Sequence, residues 1–187
     1  GHVVLDRVLD GRQQQQRRQP AGTGRVVGLG MVAAELRANP QLTEYVVQDL
    51  NASPRLPFGD AEFDACTCTV SFDYLARPFE VMAELHRVLK PGGRLLIVAP
   101  HEWEEHQQPH DYFRFTRYGL QHLLERAGFH DIHIEPVGGF FRLLSRRLFN
   151  ALQFFPGPTA LLAAIFFVPT ALILPLLDGL DSKRNFT

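Results

Sequence analysis

The chain has 187 residues, which is enough for one domain of ordinary size with a small appendage. Hydrophobic residues make up 45% of it and charged residues 21%, so it can build a core and is not a wholly disordered chain. The 19 lysines and arginines against 20 aspartates and glutamates leave a net charge of -1, so no basic field points to nucleic acid as a partner.

The chain opens on Val3-Val4-Leu5, a buried strand closed by Asp6. No charged start followed by an apolar stretch and a small-residue cleavage site stands there, which suits an intracellular protein. Asp10 to Pro20, built around four glutamines, reads as a solvated low-complexity insertion. Arg25–Val27 is a second strand running into Gly28-Leu29-Gly30, and Val32–Ala38 makes two turns of helix stopped by Asn39-Pro40. Tyr45–Val47 is a third strand ending at Asp49, and Phe63–Val70 a fourth, whose Cys66 and Cys68 point the same way as small buried residues. The helical spacing of Val81, Met82, Leu85, Val88 and Leu89 predicts a helix over Phe79–Leu89. Pro91-Gly92-Gly93 then turns into a fifth strand, Arg94–Ala99. Thr116 is an N-cap for Arg117–Ala127 with Gly128 just past its end, and Ile132–Glu135 makes a sixth strand. Strands alternating with helices predict an α/β fold, a Rossmann-like, mostly parallel sheet with helices on both faces.

Two blocks carry a family resemblance. Leu56-Pro57-Phe58-Gly59-Asp60-Ala61-Glu62-Phe63-Asp64 leads into the fourth strand, and Glu84-Leu85-His86-Arg87-Val88-Leu89-Lys90-Pro91-Gly92-Gly93 joins a helix to the fifth. Together, at this separation, they resemble the class I S-adenosylmethionine-dependent methyltransferases over about residues 1–135. Pro109 to Thr116 followed by Gly119-Leu120 is similar to a bacterial-type subgroup of those enzymes. The resemblance implies S-adenosylmethionine as cofactor, held at the carboxyl ends of the strands. It places Asp6 as the acid ending the first strand and Gly11 as the remaining glycine of the turn after it. Gly28 and Gly30 fall at the second strand, where Gly30 stands in place of the family's usual Asp or Glu. Asp49 and Leu50 take the adenine position, and Ser71 and Phe72 the loop beside the cofactor. Methyl transfer from a sulfonium needs mainly orientation and desolvation, so no catalytic acid or base is assigned.

The loop after the fifth strand lies above the cofactor crevice, which makes His110, Asp111, Tyr112 and Arg114 the candidates for substrate contact. The substrate is a small molecule or a lipid- or glycan-type compound. His101, His106 and His110 with the nearby Glu102, Glu104 and Glu105 fit no compact ligand pair, so no metal is assigned. Two alternatives stay open. One is a scaffold of this fold without cofactor. The other is an NAD-binding oxidoreductase, because Gly28-x-Gly30-x-x-Ala33 also satisfies a dinucleotide pattern with Asp49 about 20 residues on.

Composition changes near Gly138-Gly139, dividing the chain into a domain over 1–139 and an apolar helical segment over 140–187. That segment carries Arg142, Arg146, Arg147, Lys183 and Arg184 against Asp178 and Asp181, with no charge between Leu148 and Leu177. A basic amphipathic helix followed by an apolar run that Pro169 and Pro175 break into a hairpin predicts a peripheral contact of residues 140–180 with a membrane surface or a partner chain.

Overall fold

The computed structural model describes residues 2–6, 24–69 and 72–181, so Gly11 and Ser71 lie outside the described residues. The chain divides into two compact units, Gly1–Ile132 and His133–Thr187.

The first unit holds a five-stranded sheet in the order β3-β2-β1-β4-β5: β1 His2–Asp6, β2 Val27–Gly30, β3 Glu44–Val47, β4 Phe63–Thr69 and β5 Leu89–Val98. This is the strand order of a doubly wound nucleotide-binding sheet. Four strands run one way, with β2 parallel to β3 and β4 parallel to β5. The central β1 runs against both neighbours, Val3 opposite Leu29 and Cys68. A parallel return would need an apolar crossover packed on the sheet. Residues 7–23 carry instead the Gln- and Arg-rich run, whose composition offers little apolar face.

Apolar positions on one sheet face meet α2 (Pro78–Val88) and α3 (Arg117–Ala127). Val27, Leu29, Cys66 and Cys68 from the strands pack with Val81, Met82, Leu85, Val88 and Leu123 in one core. The same-side placement expected for the two cysteines holds, and burial pushes the Cys66 thiol well up, so it is an inert core residue. Thr116 caps α3 by accepting from the Gly119 N–H at 3.1 Å, and Gly128 ends it at φ 100°, where a side chain would be strained. The other sheet face is covered only in part. The short α1 (Ala33–Ala38) lies over β2 and β3, where a Cβ on Gly28 would strike the Leu42 side chain, while Leu96 and Val98 of β5 stay exposed.

Two expected elements differ. β5 starts at Leu89, so Pro91-Gly92-Gly93 lies inside the strand's span, beside the irregular register between Phe63 and Ala65 of β4. Residues 129–135 form no strand. The alternation is there, with Ile132 and Ile134 half-buried, but among the described residues no neighbour supplies a hydrogen-bond ladder, and His133 pairs with Glu135 at 2.7 Å instead.

Gly93 is where backbone packs on backbone. A Cβ there would stand 2.9 Å from the Lys90 carbonyl oxygen and 3.2 Å from that of Asp64. Neither can swing aside as a side chain would, so Gly93→Ala is expected to lose about 1–3 kcal/mol, read as a lower urea midpoint with unchanged slope.

In the second unit α4 (Phe140–Ala151) packs on α5 (Pro158–Ile173), which continues as the 3-10 segment Leu174–Leu180. The expected hairpin does not form. Pro169 stays inside α5, where the Thr170 hydroxyl donates to the Phe166 carbonyl and Ser145 Oγ to that of Ala171, while Pro175 stands at the start of the 3-10 turn, where a missing N–H costs nothing. The acids that close the apolar run return to the start of α4. Asp178 accepts from the Arg142 N–H at 3.1 Å and pairs with its guanidinium at 2.9 Å, and Asp181 accepts from the Phe140 N–H at 3.3 Å. Carboxylates on the unpaired N–H groups of a helix start are the favourable sign for its dipole.

Candidate functional site

The four like-directed strands end on one side of the sheet, at Gly30, Val47, Thr69 and Val98, and the loops leaving β3, β4 and β5 are tied together there. Asn51, after β3, donates through Nδ2 to the Tyr74 carbonyl and accepts at Oδ1 from the Ala76 N–H, both at 2.8 Å. The loop after β5 closes on the same point, since the N–H groups of Tyr112 and Phe113 both donate to the Asp73 carbonyl, at 2.8 and 3.1 Å. Phe115 N–H donates to Pro100.

Inside this junction stand Asp73, Tyr74, His106, Asp111 and Arg114. Asp73 is fully buried, and among the described residues neither of its carboxylate oxygens has a hydrogen-bond donor. Burial holds its carboxyl above the ordinary value, against the lowering pull of His106 and Arg114. His106 Nε2 lies 3.6 Å from Asp73 Oδ2 and 2.6 Å from the Tyr74 hydroxyl, while its Nδ1 is 2.8 Å from the Glu104 carbonyl. The Glu104 carbonyl only accepts and is much nearer Nδ1 than the donating Arg114 guanidinium at 3.4 Å, so Nδ1 carries the hydrogen, Nε2 of the neutral ring accepts, and Tyr74 donates. Burial and the charges of Asp73 and Asp111 raise Tyr74.

The four residues expected to meet substrate separate into two pairs. Asp111 and Arg114 are spent on each other, with contacts of 2.6 and 2.8 Å, and Arg114 also donates to the Trp103 and Glu104 carbonyls. The guanidinium bonds hold the Asp111 carboxyl well below the usual carboxylate range. This pair builds the loop. His110 and Tyr112 are linked at 3.1 Å through Nδ1 and the phenol, and both rings are open to solvent. Reading His106 only as one of several polar loop residues overlooked its place beside Asp73. The available signal was an aspartate set between Phe72 and Leu75 at a strand's end.

On the cofactor side Gly30, Asp49, Leu50 and Phe72 lie at the carboxyl ends, Leu50 and Phe72 buried and Asp49 half-buried with Oδ1 on the Asn51 N–H at 2.8 Å. Two expectations are corrected. The antiparallel course of β1 sets Asp6 opposite Ala65 near the amino end of β4, away from these groups. Gly28 lies within β2, its missing side chain filled by Leu36 and Leu42, so it serves packing. Among the described residues no three His, Cys, Asp or Glu side chains are grouped to hold a metal.

Residues 13–97 match the family model described as a methyltransferase domain. Over that stretch, a little under half of its length, the chain is similar to the S-adenosylmethionine-dependent methyltransferases. The cofactor of this methyltransferase family is S-adenosylmethionine, and the donor set suits it. Asp49 offers an acceptor-only carboxylate for an amino group, and Leu50 and Phe72, on the same side of the sheet, offer apolar surface. Among known methyltransferases, the chain is 35% identical over 103 residues to the ubiquinone/menaquinone biosynthesis C-methyltransferase UbiE of Ruegeria sp. (strain TM1040), covering 55% of this chain and 35% of that one. It is 40% identical over 76 residues to the demethylmenaquinone methyltransferase of Deinococcus radiodurans, covering 40% and 29%. It thus spans about a third of the length of these relatives. Its fold is similar, with a TM-score of 0.50 and 25% identity over 60% of this chain and 53% of the other, to a chain in the complex between the Haloferax volcanii Trm112 methyltransferase activator and a methyltransferase.

Proposed function

We propose that this chain transfers the methyl group of S-adenosylmethionine to a small ring acceptor of the quinone type, and that the 140–180 segment holds it at a membrane surface. The supporting observation for the acceptor is the 35–40% identity, over 103 and 76 residues, to methyltransferases named for ubiquinone/menaquinone biosynthesis and for demethylmenaquinone. Asp49 receives the adenine amino group, Leu50 and Phe72 flank the ring, and Gly30 leaves the ribose hydroxyls without a carboxylate at the end of β2. His110 and Tyr112, exposed on the loop after β5, are placed to meet the acceptor.

Calorimetric titration of the full chain is expected to show one S-adenosylmethionine site and no heat with NAD. Gly30→Asp is expected to tighten that binding several-fold, since a charged hydrogen bond to a hydroxyl contributes about 1.5–3 kcal/mol before the cost of burying the carboxylate. Heat with NAD alone would support the oxidoreductase reading instead. Silence with both would support a scaffold, a reading that the missing carboxylate at Gly30 favours.

A further inference from the structure

We propose that Tyr74 and His106 form the proton-accepting pair for the methyl acceptor, with the buried Asp73 carboxylate as their counter-charge. This rests on the methyltransferase reading above, and it specifies the acceptor as one that carries an ionisable hydroxyl. The observation behind it is a fully buried carboxylate that no hydrogen bond explains among the described residues, facing a ring nitrogen whose lone pair is fixed in direction. Leaving such a group unpartnered costs stability, and a chain keeps one where it serves a charge that comes and goes.

The geometry sets the direction of proton flow. Glu104 holds the hydrogen on Nδ1, so His106 can gain a proton only at Nε2, and that atom lies 2.6 Å from the Tyr74 oxygen. Tyr74 is half-buried, and its oxygen keeps lone pairs for an incoming hydroxyl while its own hydrogen points at Nε2. As an acceptor hydroxyl yields its proton to the Tyr74 oxygen, Tyr74's proton passes to Nε2. The imidazolium so formed has Asp73 Oδ2 3.6 Å away. The electron pair freed on the acceptor, at oxygen or at a ring carbon conjugated with it, forms the bond to the methyl carbon as the methyl–sulfur bond breaks with its pair left on sulfur. After attack by carbon, the ring hydrogen returns to the oxygen and restores the hydroxyl. His106 then releases its proton to solvent through its exposed edge, as about a quarter of the side chain is accessible.

The groups that face His106 from every packed element are Asp73 and Tyr74 after β4, and Asp111 at 3.5 Å and Arg114 at 3.4 Å on its own loop. Asp111 and Arg114 neutralise each other through their paired bonds, which leaves Asp73 as the unbalanced charge.

The test uses the full chain labelled with 15N-histidine and follows the ring nitrogens of His106 by NMR against pH. The neutral ring is expected to carry its hydrogen on Nδ1. Asp73→Asn, which keeps the shape and removes the charge, is expected to leave the Nδ1 hydrogen in place and to lower kcat at least tenfold with demethylmenaquinol as acceptor, S-adenosylmethionine binding unchanged. Tyr74→Phe should remove the hydrogen bond at Nε2 and leave the fold's other resonances in place. A neutral ring protonated on Nε2, or Asp73→Asn turnover equal to the parent's, would overturn the proposal. With demethylmenaquinol as acceptor, Tyr74→Phe and His106→Gln should lower kcat at least 100-fold while calorimetric binding of S-adenosylmethionine is unchanged. Full turnover by both variants also overturns the pair. An inactive parent with the expected NMR behaviour counts against the quinone reading and leaves the pair standing.

Discussion

Replacing Arg87 by methionine is expected to destabilise the first unit by about 2–3 kcal/mol, a fall in melting temperature of roughly 10 °C. Arg87 sits at the end of α2, three-quarters shielded from water. It pairs with Glu84 through two bonds of 2.6 and 2.8 Å and with Asp60 at 2.7 Å, and it donates to the carbonyls of Phe58 and Leu56. Glu84 in turn accepts from the Leu56 N–H at 2.8 Å. Methionine keeps the apolar stem and removes every donor, leaving a shielded carboxylate and two carbonyls without their partner. Arg87→Lys should recover little, since a point ammonium cannot reach five acceptors at fixed angles. A loss below about 0.5 kcal/mol in chemical denaturation would show that the network is ornamental to stability.

The same network predicts a pH signature. The Arg87 bonds hold the Glu84 carboxyl below its ordinary value of 4.5. A carboxylate depressed in the folded state contributes stability that is present in full above its unfolded value and is lost as pH falls through the folded one. The parent should therefore weaken as pH drops below about 4.5, more steeply than Arg87→Met, and the gap between their melting temperatures should narrow. Curves that run parallel from pH 7 to pH 3 would contradict this.

The second large effect concerns lipid. The helical run Pro158–Leu180 is 23 residues of mean hydropathy 2.5 in its most apolar window, long and apolar enough to cross a membrane, and only 6% of that window is buried. It is apolar on every side, the pattern of a helix surrounded by core or by lipid. Leu161 and Phe166 are each over 70% exposed. The full chain is expected to float with vesicles containing phosphatidylserine, drawn by Arg142 and Arg147, and to bind less well in high salt. Leu161→Glu combined with Phe166→Glu should abolish flotation. Each substitution forfeits about 1.5–3 kcal/mol of apolar transfer and adds a charge, so partitioning drops by more than 100-fold. A parent that stays in the soluble fraction and is monodisperse without detergent would assign the face to a protein neighbour.

How far the sequence could be read depended on how local the governing physics is. α3 was legible to the residue, because Thr116 and Gly128 are caps that act within one turn. The sidedness of Cys66 and Cys68 was legible from strand period alone. The direction of β1 was not, since Val3-Val4-Leu5 pairs equally well either way and the choice lies in the connection. The expected hairpin is absent for a similar reason: α5 runs on through Pro169 where it packs against α4, and Pro175 falls at the start of the 3-10 turn. Within the candidate site, Asp49 and Leu50 follow the end of β3 and Phe72 follows that of β4. Asp111 and Arg114 carry chemistry that suits a ligand and are instead consumed by each other, three residues apart. Asp73 and His106 are 33 positions apart, and only the closing of the loop after β5 onto β4 brings them together.

The bonds of Arg87 and Glu84 have a wider meaning. They join the two sequence blocks by which this chain resembles its family, Leu56 to Asp64 and Glu84 to Gly93, at the start of β4 and the end of α2, and the cofactor side of the sheet lies at the opposite end. The two blocks thus meet as a brace between a loop and a helix, and in this chain their mutual bonds serve the fold. Brace and candidate site stand at opposite poles of the sheet, so a substitution can weaken the one and leave the geometry of the other intact.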